Sequence, residues 1–341
     1  MGRTTVYNDG LVTDEKWEQV SKKNKDLLKD FLDYLKASDK SPATRYQYEQ
    51  QLKIFFCYLY DRCDNKFFVD LKKRDLIKFS LWLQSELKVS SSRVSTLRSV
   101  ISSLSAYIEK VLDDEFPTFR NISSVIEISN REPVREKTVM SQEEMQKCLD
   151  ALIEQKKYQI ACYFALLVAS GMRKSEAIQM KISFFEEKNK VLSGMFYLTP
   201  FIRTKGKGER GKLLQKYVAV NMFQPYLELW MKEREEKGIQ SEYLFITYKD
   251  GNYVPAAVST VNSWANTIGK ITNLDYYNHS SRHFFTTYMK ENGVSDSDIQ
   301  GLVGWASRDM VRRYDDHTNE QQLERSLDKF AAVFGAKDES K

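Results

Sequence analysis

From Asn24 onward, apolar side chains return every three or four residues: Leu28, Phe31, Leu32 and Leu35 share one face of a helix. The stretch Ser38–Pro42 breaks that pattern. Tyr48, Leu52, Phe55 and Leu59 then stripe a second helix, and Leu76, Phe79 and Leu83 a third. A fourth opens in the serine run Ser90–Ser92 and carries Leu97, Ile101, Leu104 and Ile108. Amphipathic helices with short joins predict a compact helical domain over residues 24–115, preceded by a loose polar arm, residues 1–23. Residues 116–138 (FPTFRNISSVIEISNREPVREKT) hold two prolines, mixed charge and no sustained period, which predicts a linker.

The second half opens on a capping box, Ser141-Gln-Glu-Glu144. An apolar helix over about 158–169 ends at Gly171, a residue type suited to the left-handed turn after a helix. Two β-rich stretches follow, MFYLTPFIRT and KLLQKYVAV, separated by Lys205–Gly211. Helices then return: Val261, Trp264, Ile268 and Ile271 stripe one, and Ser295-Asp-Ser-Asp298 caps the next. Residues 139–318 therefore read as one domain, mostly α with a small antiparallel sheet. In 319–341, Leu323, Leu327, Phe330, Ala331 and Phe334 form a stripe on a C-terminal helix, which either folds back on its own domain or docks elsewhere. The predicted fold class is mainly α with a small antiparallel sheet, in two domains.

At 341 residues, 42% hydrophobic and 13% aromatic, the chain has the composition of a globular protein with two cores. No run approaches the ~18 apolar residues of a membrane span, and MGRTTVYNDG lacks the apolar centre of a secretory signal, so a cytoplasmic protein without membrane partners is expected. Cys57, Cys63, Cys148 and Cys162 have no CxxC spacing; Cys57 and Cys162 lie in apolar runs, as buried thiols do. His279 and His283 are four apart on a predicted helix, yet HSSRH lacks a zincin glutamate and places Arg282 beside any cation. No metal and no cofactor are expected. Gly206-x-Gly208-x-x-Gly211 has the outline of a dinucleotide fingerprint, but a strand rather than a helix follows it, so a glycine-rich hairpin turn is the better reading. A net charge of +5 does not by itself indicate nucleic acid.

The chemistry is concentrated in NHSSRHFFTTYM and LVGWASRDMVRRYDDH. Arg282 follows His279 by three residues, Trp305 follows Arg282 by twenty-three and Tyr314 follows Trp305 by nine; Arg173 lies far upstream in SGMRKSEA. Together they offer a nucleophile, two guanidinium forks, an imidazole and an indole donor, the groups a metal-free phosphoryl transfer needs. Taken singly, each has a plain alternative: a solvated arginine, a packed indole, one of 19 tyrosines. Glu176, three residues from Arg173, either orients that guanidinium or forms an ordinary helix-surface pair.

As a set, these residues resemble the tyrosine recombinases of the lambda-integrase family, strongly over the C-terminal half and in pattern over the N-terminal third. Trp305 stands where most relatives have His. The resemblance implies a helical core-binding domain, a catalytic domain and a C-shaped clamp on duplex DNA. It implies that Tyr314 attacks the scissile phosphate to form a 3′-phosphotyrosyl enzyme, and that Arg173, Arg282 and Trp305 hold the phosphate. Glu176 then braces Arg173, and His279 accepts or donates a proton. A lysine on the β-hairpin protonates the leaving 5′ oxygen: Lys205 is the first choice and Lys207 stays open. Arg203, Lys207 and Arg210 on that hairpin, and Thr44, Arg45, Tyr46, Arg93 and Arg98 at two helix starts, are candidate DNA contacts, with solvated helix starts as the alternative for the latter group. The implied partners are double-stranded recombination sites, synapsed by a homotetramer through the C-terminal helix. Integrase, resolvase and invertase roles share this chemistry. A type IB topoisomerase, or a DNA-binding protein of the same fold without catalysis, is the alternative.

Overall fold

The computed structural model describes residues 10–126, 140–204, 206, 211–305 and 307–314. The chain divides into two compact units, one built on the residues up to Glu136 and one on the bulk of those from Lys137.

The first unit is helical. Its elements are α1 (Asp14–Gln19), α2 (Lys22–Ala37), α3 (Pro42–Arg62), α4 (Lys73–Leu81) and α5 (Ser91–Val111). Ser21, Ser41 and Ser90 cap α2, α3 and α5, each hydroxyl accepting a backbone N–H of the first turn. Pro42 sits in the first turn of α3, where its missing N–H costs nothing. The buried stripes include Leu28, Phe31 and Leu35 of α2, Leu52, Phe55 and Leu59 of α3, and Leu97, Ile101, Leu104 and Ile108 of α5. Phe55 meets Phe79 edge-on at 4.7 Å.

The structure corrects two expectations. The arm is not loose throughout: Thr13 caps α1, Trp17 lies beneath the Lys53 ammonium at 5.3 Å, and Val20 is buried in the core. Nor does structure stop at 116, since Phe119 and Ile126 are buried against the same helices. Both segments pack through isolated side chains on a short helix or in irregular backbone, which leave no period to read.

In the second unit, α6 (Gln142–Glu154) starts at the predicted capping box, and α7 (Tyr158–Ser170) is buried from Ala161 to Ser170. A helix apolar on every side is a core helix. It ends at Gly171, whose φ of +58° is left-handed and where a Cβ would lie 2.8 Å from the Phe285 ring. After α8 (Lys174–Ala177) comes a strand region: β1 (Lys190–Val191), β2 (Phe196–Leu198), β3 (Ile202–Thr204), β4 (Lys212–Leu214) and β5 (Tyr217–Ala219). All pairings are antiparallel, in the order β1-β2-β5, with β3 and β4 as a separate pair.

Each predicted β-stretch is thus split in two. Pro200 cannot donate to a ladder, and the Thr199 hydroxyl accepts the Lys216 N–H there at 2.9 Å. Thr204 pairs with Lys212, so a strand and not a helix follows the glycine-rich segment. The remaining elements are α9 (Val220–Glu236), β6 (Ile246–Lys249), β7 (Asn252–Pro255), α10 (Val258–Thr272), α11 (Ser280–Glu291), α12 (Asp296–Val303) and α13 (Asp309–Tyr314). The β6–β7 hairpin turns on Asp250 and Gly251, both at positive φ. Cys57, Cys63, Cys148 and Cys162 are free and buried. No helix among the described residues is long and apolar enough to cross a membrane. The C-terminal helix expected over 319–341 lies outside the described residues.

Candidate active site

Four of the singled-out residues lie on or beside α11, α12 and α13, and local chemistry fixes each. His279 is the N-cap residue of α11, and Arg282 sits in its first turn, its N–H donating to the His279 carbonyl at 3.1 Å. Asn278, just before it, is buried: it accepts from the Tyr163 hydroxyl at 3.0 Å and donates to the Val261 carbonyl at 3.2 Å. The start of α11 is thereby tied to α7 and α10. Gly304, at φ +74°, ends α12, and Trp305 follows with its N–H on the Gln300 carbonyl at 3.0 Å. Tyr314 lies on α13, which packs on α11 and α12 through Phe285, Ile299, Val303 and Val311.

These side chains converge. The Tyr314 hydroxyl and His279 Nε2 are hydrogen-bonded at 2.6 Å. The Trp305 and Tyr314 rings stack at 5.1 Å with planes 10° apart, and the Arg282 guanidinium lies 5.6 Å from the first ring and 5.9 Å from the second. His283 meets the Tyr314 ring edge-on at 4.9 Å. Both imidazoles thus flank one phenol, and among the described residues no cluster of three or more metal-ligand side chains occurs.

Arg173 arrives from the far side of the sequence. It is the N-cap residue of α8, and the Glu176 carboxylate accepts both its backbone N–H, at 2.8 Å, and its Nη1, at 2.9 Å. Glu176 is fully buried and also faces Arg282 Nη2 at 3.6 Å and Lys216 Nζ at 3.4 Å. Lys216, 1% exposed, donates in addition to the Val303 carbonyl at 2.8 Å. Lys216 is not among the residues singled out from the sequence. The signal was available: alternation in KLLQKYVAV puts Leu214, Lys216 and Val218 on one face, so a lysine occupies an inward position.

Burial alone would push the Glu176 carboxyl up. The charge of Lys216, the Arg173 N–H and the charges of Arg282 and Arg173 reverse this, leaving it below its ordinary value and ionised. Desolvating an ion costs several kcal/mol, while one opposite charge at about 3.5 Å returns ~5 kcal/mol at an effective dielectric near 20. A single pair would barely offset that cost, and three cations do so comfortably. Burial, together with the Arg173 charge, lowers Arg282 to about 10, still protonated at neutral pH. Burial and the Arg282 charge, with lesser parts from His283 and Arg173, bring His279 down to about 4, so its imidazole is neutral and able to accept a proton from the phenol.

Two features mark what the site lacks. Arg282 Nε, Nη1 and Nη2 and Trp305 Nε1 are buried without a hydrogen-bond acceptor among the described residues. Stranded charged donors are costly, and here three cations also face one carboxylate. Such a site is complementary to an anion held beside the Tyr314 hydroxyl, at the N-terminus of α11.

The low His279 value gives a direct expectation. In carbon-13- or nitrogen-15-labelled, DNA-free protein, the His279 ring should titrate near pH 4; a midpoint between 6 and 7 would mean that the imidazole is solvated. Because the folded value lies below the ordinary 6.5, the native state binds fewer protons than the unfolded chain between these two values, and stability contributed by His279 is lost as pH falls through that window.

Arg203 is exposed on β3, its backbone paired with the Gln179 amide through bonds of 3.1 and 2.8 Å. Lys205, Lys207 and Arg210 lie outside the described residues. In the first unit, Thr44, Arg45 and Tyr46 occupy the first turn of α3, with Tyr46 58% exposed, and Arg93 and Arg98 are half-buried in the first turns of α5.

Both units are similar to known proteins. Residues 138–321 match the phage integrase family, and residues 27–118 match the N-terminal SAM-like domain of phage integrases. The chain is 31% identical over 258 residues to the SPbeta prophage-derived recombinase-like protein YomM of Bacillus subtilis (strain 168), covering 74% of this chain and 73% of that protein. It is 26% identical to the tyrosine recombinase XerA of Pyrococcus horikoshii, over 85% of this chain and 89% of the relative. Among solved structures, the fold matches a Tn1549 transposon integrase in complex with a circular-intermediate DNA (TM-score 0.65, 16% identity, 89% of this chain and 99% of that one). It also matches XerH bound to a palindromic difH substrate (TM-score 0.60, 20% identity, 85% and 80%).

Proposed function

The chain belongs to the phage integrase family of tyrosine recombinases, and from that premise we propose that it is a site-specific DNA recombinase, cutting and rejoining duplex DNA through a 3′-phosphotyrosyl intermediate. One observation carries the reading: a tyrosine hydroxyl bonded to a neutral imidazole lies beside buried guanidinium and indole donors that have no acceptor among the described residues. In the cleavage step the Tyr314 oxygen attacks phosphorus, the bond to the 5′ oxygen breaks, and His279 takes the phenolic proton. Arg173, Arg282 and Trp305 hold the non-bridging oxygens, and Glu176 fixes both arginines. Lys205 gives a proton to the leaving oxygen. A 5′ hydroxyl of the partner duplex then reverses the step and frees the phenol. One phosphoester replaces another throughout, so no nucleotide hydrolysis is needed.

The relatives are recombinases, which favours this reading over the topoisomerase and the non-catalytic one. The first turns of α3 and α5, with Thr44, Arg45, Tyr46, Arg93 and Arg98, and the hairpin residues Arg203, Lys207 and Arg210 contact the DNA backbone in this scheme. Four copies act on two synapsed duplexes.

The decisive experiment traps the protein on a nicked suicide duplex carrying its recombination site and maps the linked residue by proteolysis and mass spectrometry. A phosphotyrosyl peptide at Tyr314 is expected, and linkage at any other residue overturns the assignment. For the leaving group, Lys205→Ala should slow cleavage by ~10²–10⁴-fold on ordinary DNA and regain speed when the 5′ bridging oxygen is sulfur, which departs without protonation. Rescue of Lys207→Ala in place of Lys205→Ala would move the acid two residues along the hairpin.

A further inference from the structure

Lys216 takes no part in the steps of cleavage and rejoining, yet it is among the most buried ionisable groups of the second unit. A buried ammonium loses its hydration and returns it only through specific partners. Its two partners are informative. The Glu176 carboxylate at 3.4 Å is the brace that also holds Arg173 and Arg282; the Val303 carbonyl at 2.8 Å is the last residue of α12, two positions before Trp305. The approach is close on that side too: a Cβ on Gly304 would stand 3.0 Å from Leu214 and 3.8 Å from Lys216 Nζ. Burial lowers the ammonium's proton affinity and the Glu176 charge restores part of it. The strand break at Pro200 anchors the backbone here, since Thr199 and Lys216 exchange two hydrogen bonds of 2.9 Å.

We infer that Lys216 is a positioning residue for the strand-transfer reaction, a strut joining the carboxylate that aims both arginines to the end of α12 that presents Trp305. The inference rests on the recombinase reading above. Without the strut, Glu176 keeps Arg173 and Arg282 but loses its link to α12, so the two halves of the phosphate clamp are no longer set against each other. The ammonium itself is enclosed and makes no contact with DNA. Its loss should therefore appear in the chemical step and not in binding.

The test compares full-length wild type with Lys216→Met, Lys216→Gln and Lys216→Arg on the nicked suicide duplex, in single turnover at saturating protein, with DNA affinity measured in the same buffer. Lys216→Met should slow adduct formation by ~100-fold, the scale of a small misplacement of catalytic groups, with Kd for DNA essentially unchanged. Lys216→Arg, which can reach both partners, should recover much of the rate. In a Glu176→Gln background, Lys216→Met should add little, because both changes cut one connection. Wild-type cleavage by Lys216→Met, equal losses in binding and cleavage, or full additivity with Glu176→Gln each overturns the proposal. If Lys216→Met does not fold, Lys216→Gln, which keeps a donor for the Val303 carbonyl, takes its place; if neither folds, Lys216 is a folding residue and the proposal fails. Absence of a Tyr314 adduct in the wild type would instead sink the underlying recombinase reading.

Discussion

Tyr314→Phe should abolish the covalent DNA adduct, by at least ~10⁴-fold in view of what removal of a nucleophile costs, while leaving DNA binding intact. The geometry explains why the change should be clean. The ring is held by its stack on Trp305 and by the edges of His279 and His283, all of which a phenylalanine ring keeps. Only the hydroxyl and its 2.6 Å bond to His279 are lost, a change worth ~1 kcal/mol of stability. Gel shift on the intact site and denaturing electrophoresis of the nicked duplex separate the two effects. Adduct at wild-type level in the variant would remove Tyr314 from the mechanism, and parallel loss of binding would mean that the hydroxyl serves the fold.

Much of this site was legible because its core is nearly local. His279, Arg282, Trp305 and Tyr314 lie on or beside the consecutive helices α11, α12 and α13, so their spacing alone constrains them, and the resemblance supplied Arg173. The helical stripes of α2, α3 and α5 were equally readable, since burial there follows the helical period. What escaped was non-periodic or depended on tertiary partners. Lys216 escaped because a buried lysine makes sense only once Glu176 and Val303 are beside it. The break in both β-stretches hangs on Pro200 and the hydroxyl of Thr199. Asp250-Gly251, a strong turn signal between Tyr248 and Tyr253, went unread although it makes the β6–β7 hairpin. Trp17, Phe119 and Ile126 pack as single anchors, and no window of sequence announces such residues.

The brace itself should prove the most sensitive residue for stability. Glu176→Ala leaves Arg282, Lys216 and Arg173 facing one another in a dry site, and removing one partner of a buried ionic network costs ~3–5 kcal/mol. Glu176→Gln should cost less, because an amide oxygen can still accept the Arg173 N–H, but it too leaves the cations without a counter-charge. Acid should reveal the same carboxylate. Its folded value is depressed against the ordinary 4.5, so the stability it contributes is complete above that value and is lost as pH falls through the folded one; the Gln variant should lack that part of the acid transition. Sulfate provides a positive control: an anion that binds the native site stabilises by mass action, so it should raise the urea midpoint of Glu176→Gln more than that of the wild type. Cleavage should fall further than DNA affinity in both variants, since the arginines would still attract phosphate but no longer hold it in the geometry of the transition state. Unchanged urea midpoints at neutral pH would show that the three cations do not depend on Glu176, and the carboxylate would then lose its place as the centre of the site.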